Sequence, residues 1–509
     1  MGASLAIAVA GVSLVAGSYY SDHLPLRQHL FSSNGDSDRW GCRPFLPNLF
    51  SESPPPQTHP AIHDAVAEVD RIFASRFSQG DIDSLSVAVV TADGPLYEKN
   101  FGVTRGNETG SPSTTSHSMY RIALTGKLFI VLEGTASNWP HDIFGGGPPP
   151  TNGHPFPSNK ALLDAIAQHH LTSPPWFHPA YSNTGTGLLG LALAAASSAA
   201  AGDAETISYA DLVKRDIFEP MGLNGSHFLT TEENKHLVVV PSLAPVVADQ
   251  DFLDAMNPAG GQFSSLSDLI TVTQTLLHPR HRKSQLTPYT RDKWLRTVHA
   301  FEEDDWTELG FMWEIIKAED SNGRLRKIYW KLGEMAGYHA AIAIHPGTSY
   351  GITVLVAGHY WDAAKLTYDA FGIFQPAIDK ALSDLATELY AGEWRDDLDA
   401  SKPSSALLVV ESGTLYVERY TLLGVDALKK FGAQGRLALR PTGRRDEFRL
   451  DTGIPGYNEQ KHMGCYPYWN GQDLWGVRNN AAINALYFRG EGKERRLHVP
   501  SLDLTMGKA

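Results

Sequence analysis

The sequence predicts an α+β fold: an antiparallel sheet flanked by helices and carrying a helical insert, with a further β-rich module at the C-terminus. β-rich runs occur in two separate places, at 84–103 and at 340–358, and mostly helical and loop sequence lies between them. If the strands from both places form one sheet, the region between them is an insert in that sheet. After Trp394 the sequence changes to short strands separated by Gly, Pro and charged residues.

The elements of the main domain follow from hydrophobic periodicity. Helical spacing of apolar residues predicts amphipathic helices, whereas short β-rich runs bounded by turn residues predict strands. Ala92-Asp93-Gly94 and Pro346-Gly347-Thr348 supply the two turns. In chain order the elements are a helix from Ala61 to Phe77, strands at 84–91, 95–103, 340–347 and 351–358, and a helix over roughly 363–390.

The tail, 395–509, is predicted to be a separate β-rich module, a small barrel or sandwich. Its strands are expected in the runs ALLVVES, TLYVERY, RLALRPTG and EFRLDTG. The aromatic segment at 466–475 is expected to supply core side chains of this module. The domain that precedes the tail is predicted to span 61–394.

Length and charge narrow the classes of function. The 509 residues leave room for one large catalytic domain and a smaller module. The net charge of −13 disfavours nucleic acid and anionic membrane surfaces as partners, because both attract basic patches. Oligomeric state is not readable from the sequence.

The N-terminal residues predict export from the cytoplasm. Residues 1–17 contain an apolar run that spans about 22 Å as a helix, short of a ~30 Å hydrocarbon core, which favours a signal peptide. The run lacks a basic segment before it, so an uncleaved anchor stays open as an alternative. A secreted chain would also offer Asn107 and Asn224 as glycosylation acceptors.

Residues 18–60 are predicted to form an extended, Pro- and Ser-rich arm, with ordered structure beginning near Ala61. The chain has two cysteines, Cys42 in this arm and Cys465 in the tail. A disulfide would join the arm to the tail in an oxidising compartment, while two buried free thiols are the alternative.

Three short segments, in order along the chain, carry the residues that indicate chemistry. They are YRIALTGKLFIVLEG at 120–134, PPWFHPAYSNTGTGLLG at 174–190 and YWKLGEMAGY at 329–338. Together with their flanks they resemble the three motifs of the class C β-lactamase and serine penicillin-binding-protein family, in its fungal β-lactamase-like form. The resemblance covers about 60–390 and implies a β-lactamase/transpeptidase-like sheet.

The resemblance implies acyl transfer, which requires a nucleophile, a base and donors for the oxyanion. Lys127 and Tyr181 would share the proton transfers, with the pKa of the tyrosine lowered by Lys127 and Lys331. Asn183 would hold Lys127 and the substrate. Lys331 would attract a substrate carboxylate or polarise Tyr181.

The third motif would also bind substrate through Gly333 and Glu334. By the same resemblance, the backbone N–H groups of residues 124 and 334 would form the oxyanion hole. The implied substrate is a small-molecule or peptide-like ester, amide or thioester. No metal or organic cofactor is expected, because lysine and tyrosine handle the charge and the protons.

The sequence departs from the family pattern at the nucleophile. Leu124 occupies the serine position three residues before Lys127, and leucine cannot attack a carbonyl. Thr125 is the nearest hydroxyl and the candidate nucleophile in its place. In a regular helix it is rotated by ~100° from the expected direction, so it could serve only if the helix start is distorted. Leu124 also lies only 57 positions before Tyr181, a shorter spacing than the family usually has.

Three functions therefore remain open. The missing serine indicates either a decayed site or a mis-joined gene sequence. The first function is a hydrolase or acyltransferase of the serine penicillin-recognition type. The second is a catalytically inactive binding protein that kept the cleft. The third is a cyclase or isomerase that uses Lys127 and Tyr181 for proton transfer without a covalent intermediate.

Overall fold

The computed structural model describes residues 42–123, 125, 155–168, 170, 174, 179–278, 280–396, 401–453, 464–472 and 476–509. The chain divides into two compact units. The sheet unit comprises residues 50–379, and the barrel unit comprises residues up to 49 together with 380–509. The boundary lies inside a helix and precedes the one predicted at 395.

The sheet unit contains an eight-stranded antiparallel sheet within the described residues. Its strand order is β2-β1-β10-β9-β8-β7-β6-β5, and β1 pairs directly with β10, so strands from the two ends of the unit meet as predicted. A short pair, β3 with β4, lies outside this sheet. The strands are β1 (Ile82–Thr91), β2 (Gly94–Gly102), β3 (Met119–Arg121), β4 (Phe263–Ser265), β5 (Thr297–Ala300), β6 (Thr307–Gly310), β7 (Glu314–Glu319), β8 (Leu325–Met335), β9 (Tyr338–His345) and β10 (Tyr350–Gly358).

The helices confirm the predicted α+β class and lie mostly between β2 and β5 in the sequence. The last of them, over Ala363–Tyr390, has the predicted bounds. The α-helices described up to this point are α1 (Pro60–Phe77), α2 (Asn159–Gln168), α3 (Asn183–Ala201), α4 (Tyr209–Val213), α5 (Glu219–Met221), α6 (Leu253–Met256), α7 (Leu266–Leu277), α8 (Pro288–Trp294) and α9 (Ala363–Tyr390).

Helix α3 packs closely within the sheet unit through two glycines. A Cβ atom on Gly187 would lie 2.4 Å from the Ala255 carbonyl oxygen, and one on Gly190 would lie 2.2 Å from Pro258 Cγ. By length and apolar composition alone α3 is long enough to cross a membrane. A single helix of this kind is weak evidence for a span, because helices packed inside a folded unit meet the same criteria.

The barrel unit is a closed β-barrel, one of the two predicted alternatives. Its strands pair in the order β12-β11-β21-β20-β19-β16-β15-β13, and β13 pairs again with β12, which closes the ring. Closure leaves no free edge among these eight strands. The elements are β11 (Gly392–Asp396), β12 (Ser404–Glu411), β13 (Thr414–Leu422), β14 (Val425–Asp426), α10 (Ala427–Lys430), β15 (Leu437–Pro441), β16 (Glu447–Leu450), α11 (Tyr466–Asn470), β17 (Val477–Arg478), β18 (Ala481–Ala482), β19 (Ala485–Arg489), β20 (Arg496–Val499) and β21 (Leu504–Lys508).

The end of α9 belongs to the barrel unit because Tyr390 anchors it there. The Tyr390 ring packs against Phe448 and Phe488 at centroid distances of 5.1 and 4.9 Å, and its hydroxyl donates to Asp446. By contrast, the expectation that the aromatic segment at 466–475 fills the core is wrong for two of its residues. Tyr466 and Trp469 are 48% and 68% exposed.

The arm is ordered well before Ala61, contrary to the sequence-based expectation. Cys42 and Cys465 form the predicted disulfide, which joins the arm to the barrel. The Leu46 N–H donates to the Gly413 carbonyl, and the Thr414 hydroxyl donates to the Pro44 carbonyl. These contacts order a segment that has no helical or strand periodicity of its own. Residues 1–41 lie outside the described residues, as does the predicted signal peptide.

Candidate active site

The first motif rests on a buried strand pair in the sheet unit. Met119–Arg121 (β3) pairs with Phe263–Ser265 (β4), and all six residues are buried. The Tyr120 hydroxyl hydrogen-bonds the hydroxyls of Ser84 at 2.5 Å and Ser86 at 3.0 Å, both on β1. The segment that leads into the expected nucleophile position is therefore held from two sides.

Arg121 fixes the same segment through a fully buried guanidinium. Its N–H groups donate to four backbone carbonyls, those of Val247, Ala248, Gln250 and Gly261. The guanidinium also lies 4.0 Å from the centroid of an aromatic ring on β4. Burial lowers the pKa of Arg121 to about 10, which still leaves the group charged at neutral pH. A planar guanidinium that is bonded to four carbonyls holds these backbone segments in fixed positions, and we call it the Arg121 clamp.

Gly333 lets the first and third motifs approach each other. A Cβ atom on Gly333 would lie 2.1 Å from the Ile122 carbonyl oxygen and 2.9 Å from the Thr125 backbone nitrogen. Ala123, between these two contacts, has a φ of 45°, a left-handed conformation that costs an L-residue about 1–2 kcal/mol. The strained turn thus passes directly over the strand that carries the third motif.

The Thr125 hydroxyl points at this strand and is not presented to solvent. It donates to the Lys331 carbonyl oxygen at 3.3 Å, and Thr125 is 1% exposed. To attack a substrate, the Thr125 hydroxyl must first break its hydrogen bond to the Lys331 carbonyl. Leu124 and Lys127 lie outside the described residues, so the predicted roles of Lys127 and of the residue 124 N–H stay predictions.

Lys331 lies on β8 with its ammonium group engaged by a neighbouring strand. The ammonium donates to Glu314 Oε1 at 2.5 Å and to the Leu332 carbonyl at 2.9 Å, and Lys331 is 2% exposed. Glu314 begins β7, where it pairs with Trp330 across the sheet. Lys331 is therefore already ion-paired, which weakens its expected attraction for a substrate carboxylate.

Tyr181 stands next to Lys331 and precedes α3. The Lys331 ammonium lies 5.5 Å from the centroid of the Tyr181 ring. Ser182 caps α3 by accepting the Gly185 N–H, and Asn183 is the first residue of the helix. The predicted contact of Asn183 with Lys127 lies outside the described residues.

The direction of the Tyr181 pKa differs from the expectation. Desolvation raises the pKa of Tyr181 well above its ordinary value, and the carboxylates of Glu314 and Glu334 raise it further, although 53% of the residue is exposed. The described residues, Lys331 included, therefore do not lower the pKa of Tyr181 as the sequence led us to expect. The described surroundings of Tyr181 thus favour the protonated phenol at neutral pH.

Glu334 places an exposed carboxyl at the end of the third motif. Glu334 lies opposite His339 where β8 pairs with β9. Burial raises the pKa of the Glu334 carboxyl, the carboxylates of Glu314 and Asp362 raise it further, and the Lys331 ammonium opposes them. Within the described part of the chain, the Glu334 side chain has no hydrogen-bond or ion-pair partner.

The structure brings together Thr125, Tyr181, Lys331 and Gly333, all predicted from sequence, and adds Glu314. Sequence reasoning missed Glu314 because its role depends on the pairing of β7 with β8. The available signal was a charged residue within the apolar run FMWEII at 311–316. Within the described residues, no group of three or more His, Cys, Asp or Glu is arranged to hold a metal ion.

An apolar cavity of about 460 Å³ adjoins the site at Thr125. Its lining includes Leu269, Leu276, Trp294 and Ile342, whereas Tyr181 and Lys331 do not line it. Tyr181 and Glu334, which are both exposed, therefore lie outside the lining of this cavity.

The comparisons with known proteins identify the family. A family model described as beta-lactamase matches residues 134–372, a region that begins at the last residue of the first motif segment. The Beta-lactamase-like protein str6 of Strobilurus tenacellus is 34% identical over 308 residues, which cover 59% of this chain and 98% of that protein. The chain belongs to the beta-lactamase-like family. A further family member, Putative beta-lactamase-like 1 of Homo sapiens, is 23% identical, covering 65% of this chain and 73% of its own.

Two solved structures are among the chains that this chain resembles. A class C beta-lactamase is 15% identical with a TM-score of 0.48, covering 61% of this chain and 96% of its own. The octameric penicillin-binding protein homologue from Pyrococcus abyssi is 15% identical with a TM-score of 0.43, covering 85% of this chain and 98% of its own.

Proposed function

We propose that this beta-lactamase-like protein is a hydrolase or acyltransferase that acts on an ester, amide or thioester of a small-molecule or peptide-like substrate. One observation carries the proposal. The Lys331 ammonium lies 5.5 Å from the centroid of the Tyr181 ring, although the two residues belong to distant motifs. Both lie beside the place where Gly333 closely approaches the backbone of Ile122 and Thr125. The phenol and the ammonium are two of the groups that the family resemblance assigns to proton transfer, and the constrained turn holds the Thr125 hydroxyl next to their strand.

In this scheme Tyr181 is a proton donor. Its raised pKa keeps the phenol protonated at neutral pH, so it can protonate the leaving group as the acyl bond breaks. Lys331 orients the phenol, and Glu314 balances the charge of Lys331. The nucleophile is the Thr125 hydroxyl, which must exchange its bond to the Lys331 carbonyl for contact with the substrate. Its proton passes to the Lys127 amine, the base implied by the family resemblance, and from there to the Tyr181 phenolate that remains after the leaving group is protonated. Water or an acceptor nucleophile then attacks the acyl ester on Thr125, takes the acyl group and restores the threonine hydroxyl.

A second candidate is a binding protein or a non-covalent proton-transfer enzyme. Two observations favour it: Leu124 carries no nucleophilic atom, and the Thr125 hydroxyl is buried and hydrogen-bonded. Tyr181 and Lys331 would then bind a ligand or move a proton without an acyl intermediate.

The experiment is to follow turnover of a panel of esters and thioesters by the full chain, with mass spectrometry for a covalent adduct. Thr125→Val removes the hydroxyl at nearly constant shape, and Tyr181→Phe removes the phenolic hydroxyl. The matched control is Tyr289→Phe, because Tyr289 is a 73% exposed tyrosine on α8. Acyl transfer predicts loss of activity in the first two variants and an adduct on Thr125. Activity that survives Thr125→Val but not Tyr181→Phe, without an adduct, would establish the non-covalent proton-transfer enzyme of the second candidate.

We also propose that the chain is exported and glycosylated. The Cys42–Cys465 disulfide fits an oxidising compartment, and the acceptor residues Asn107 and Asn224 are both exposed. Treatment of the secreted chain with an endoglycosidase tests this: a decrease in mass is expected. A chain retained in the cytoplasm with free thiols would overturn it.

A further inference from the structure

The apolar cavity that adjoins Thr125 has the size and the lining of a small-molecule site. Its volume of about 460 Å³ lies within the roughly 300–1,000 Å³ of cavities that bind such ligands. Most of the described residues that line it are hydrophobic, among them Leu269 and Leu276 on α7 and Trp294 on α8. Lys293 is the single charged residue in the described lining. The cavity therefore suits an uncharged, apolar ligand.

The cavity has a buried end at Thr125 and an exposed end at α8. Thr125 is 1% exposed, and Leu276 is also buried. The polar lining residues Gln285, Thr290 and Lys293 are all exposed, and they lie close together in the sequence, at the start of α8 and just before it. These exposed side chains mark the mouth of the cavity, and the hydrophobic lining lies between the mouth and Thr125.

The buried end of the cavity meets the candidate active site. Thr125 lines the cavity and also donates its hydroxyl to the Lys331 carbonyl oxygen at 3.3 Å. Ile342, another lining residue, lies directly opposite Lys331 where β8 pairs with β9. Residues that are directly opposite in an antiparallel pair project from the same face of the sheet. The cavity and Lys331 therefore share one face of the sheet, and Thr125 contacts both.

We infer that this cavity is an acyl subsite, which binds an aliphatic acyl chain with the scissile carbonyl at Thr125 and the chain extending towards α8. The inference rests on the proposed function and adds the class of acyl group to it. The reaction itself is unchanged: a bond from the carbonyl carbon to Thr125 replaces the bond to the leaving group, and water then releases the carboxylic acid. An acetyl group leaves most of the lining uncovered, whereas a longer chain packs against it.

The test measures kcat/KM of the full chain for three 4-nitrophenyl esters: the acetate, the heptanoate and the 5-methoxypentanoate. Because burial of one methylene is worth about fourfold, we expect kcat/KM to be at least tenfold higher for the heptanoate than for the acetate. The methoxy ester has the chain length of the heptanoate with an oxygen in place of one methylene. It should react more slowly than the heptanoate, because the ether oxygen loses its hydration among apolar side chains.

A binding measurement that needs no turnover runs in parallel. The equilibrium binding of heptanamide and of acetamide to the full chain is measured by calorimetry. Both amides are uncharged and differ only in the length of the alkyl chain, so the difference in affinity reports burial of methylene groups. Heptanamide should bind at least tenfold more tightly.

Variants on α7 assign the effect to the cavity. Val272→Phe places a ring in the cavity and should lower the heptanoate-to-acetate ratio at least fivefold. Val246→Phe makes the same change at a 65% exposed residue outside the lining and should leave the ratio unchanged. Leu276→Ala enlarges the cavity and should raise the nonanoate-to-heptanoate ratio, whereas Leu408→Ala in the barrel unit should not. Thermal unfolding checks that each variant is folded, and Leu276→Ala makes the assignment if Val272→Phe does not fold.

The outcomes separate the two proposals. If no ester turns over but heptanamide binds more tightly than acetamide, the hydrolase proposal fails and the apolar subsite stands. If the acetate turns over as fast as the heptanoate, the inference is overturned and the hydrolase proposal stands. Equal effects of Val272→Phe and Val246→Phe would refute the assignment to this cavity. Loss of both readouts in the wild type, turnover and amide binding, overturns both proposals.

Discussion

Replacing Gly333 by alanine would place a methyl group where the backbone of the first motif crosses β8. The new Cβ atom would lie 2.1 Å from the Ile122 carbonyl oxygen and 2.7 Å from the Thr125 hydroxyl oxygen, whereas ordinary contacts are at 3.4–4 Å. Relief therefore requires the two segments to separate by about 1 Å or more.

Neither segment can move freely. Ile122 is fully buried and follows Arg121, whose guanidinium is bonded to four carbonyls, while β8 is paired on both sides by β7 and β9. Overpacking of this kind costs about 1–3 kcal/mol, and we expect Gly333→Ala to lie at the upper end. The same movement separates Thr125 from the Lys331 carbonyl.

The measurement is urea unfolding of the full chain followed by tryptophan fluorescence. Gly372→Ala is the matched control, because Gly372 is exposed within α9 and its Cβ would meet nothing within 4 Å. That substitution should stabilise the helix by about 0.5–1 kcal/mol. If Gly333→Ala changed the unfolding free energy by no more than the control, the close approach of the two motifs would be refuted.

Three further predictions follow from the structure. Arg121→Lys should lower the unfolding free energy by about 2–4 kcal/mol in urea titrations, because lysine leaves buried carbonyls unpaired; an unchanged midpoint would contradict the clamp. Burial lowers the pKa of His339 from 6.5 to about 4, so the unfolded chain takes up a proton below pH 6.5 that the folded chain does not. Stability should therefore fall by about 2 kcal/mol more between pH 7 and pH 5 in the wild type than in His339→Gln, and parallel profiles would be the contrary result. Replacing Cys42 and Cys465 together by serine should destabilise the barrel unit by about 2–5 kcal/mol, and a non-reducing peptide map with both thiols free would show that the bond is absent.

Local sequence patterns predicted the elements that depend on local periodicity. The helix over 363–390 and the strands that became β1, β2, β9 and β10 appear within a few residues of their predicted bounds. Their apolar residues recur at the spacing of one helix face or in short buried runs, so a single stretch of chain contains the whole signal.

Features that depend on contacts between distant segments could not be predicted from the sequence. The Lys331–Glu314 pair requires the register of β7 against β8, in which Glu314 lies opposite Trp330. The raised pKa of Tyr181 comes first from desolvation and then from the carboxylates of Glu314 and Glu334, and both causes depend on contacts with distant segments. The ordered arm is another example, since Leu46 is held by the Gly413 carbonyl from the other end of the chain.

The disulfide has a consequence for the order of biosynthesis. Cys42 is made 423 residues before Cys465, and the sheet unit, 50–379, is made entirely between them. At about 5–20 residues per second, the Cys42 thiol waits roughly 20–80 s for its partner to be synthesised. For most of that interval β13, whose first residue Thr414 bonds to the arm, has not been synthesised. The earliest described segment of the chain is thus among the last to reach its native place, and its thiol is exposed to competing partners until then.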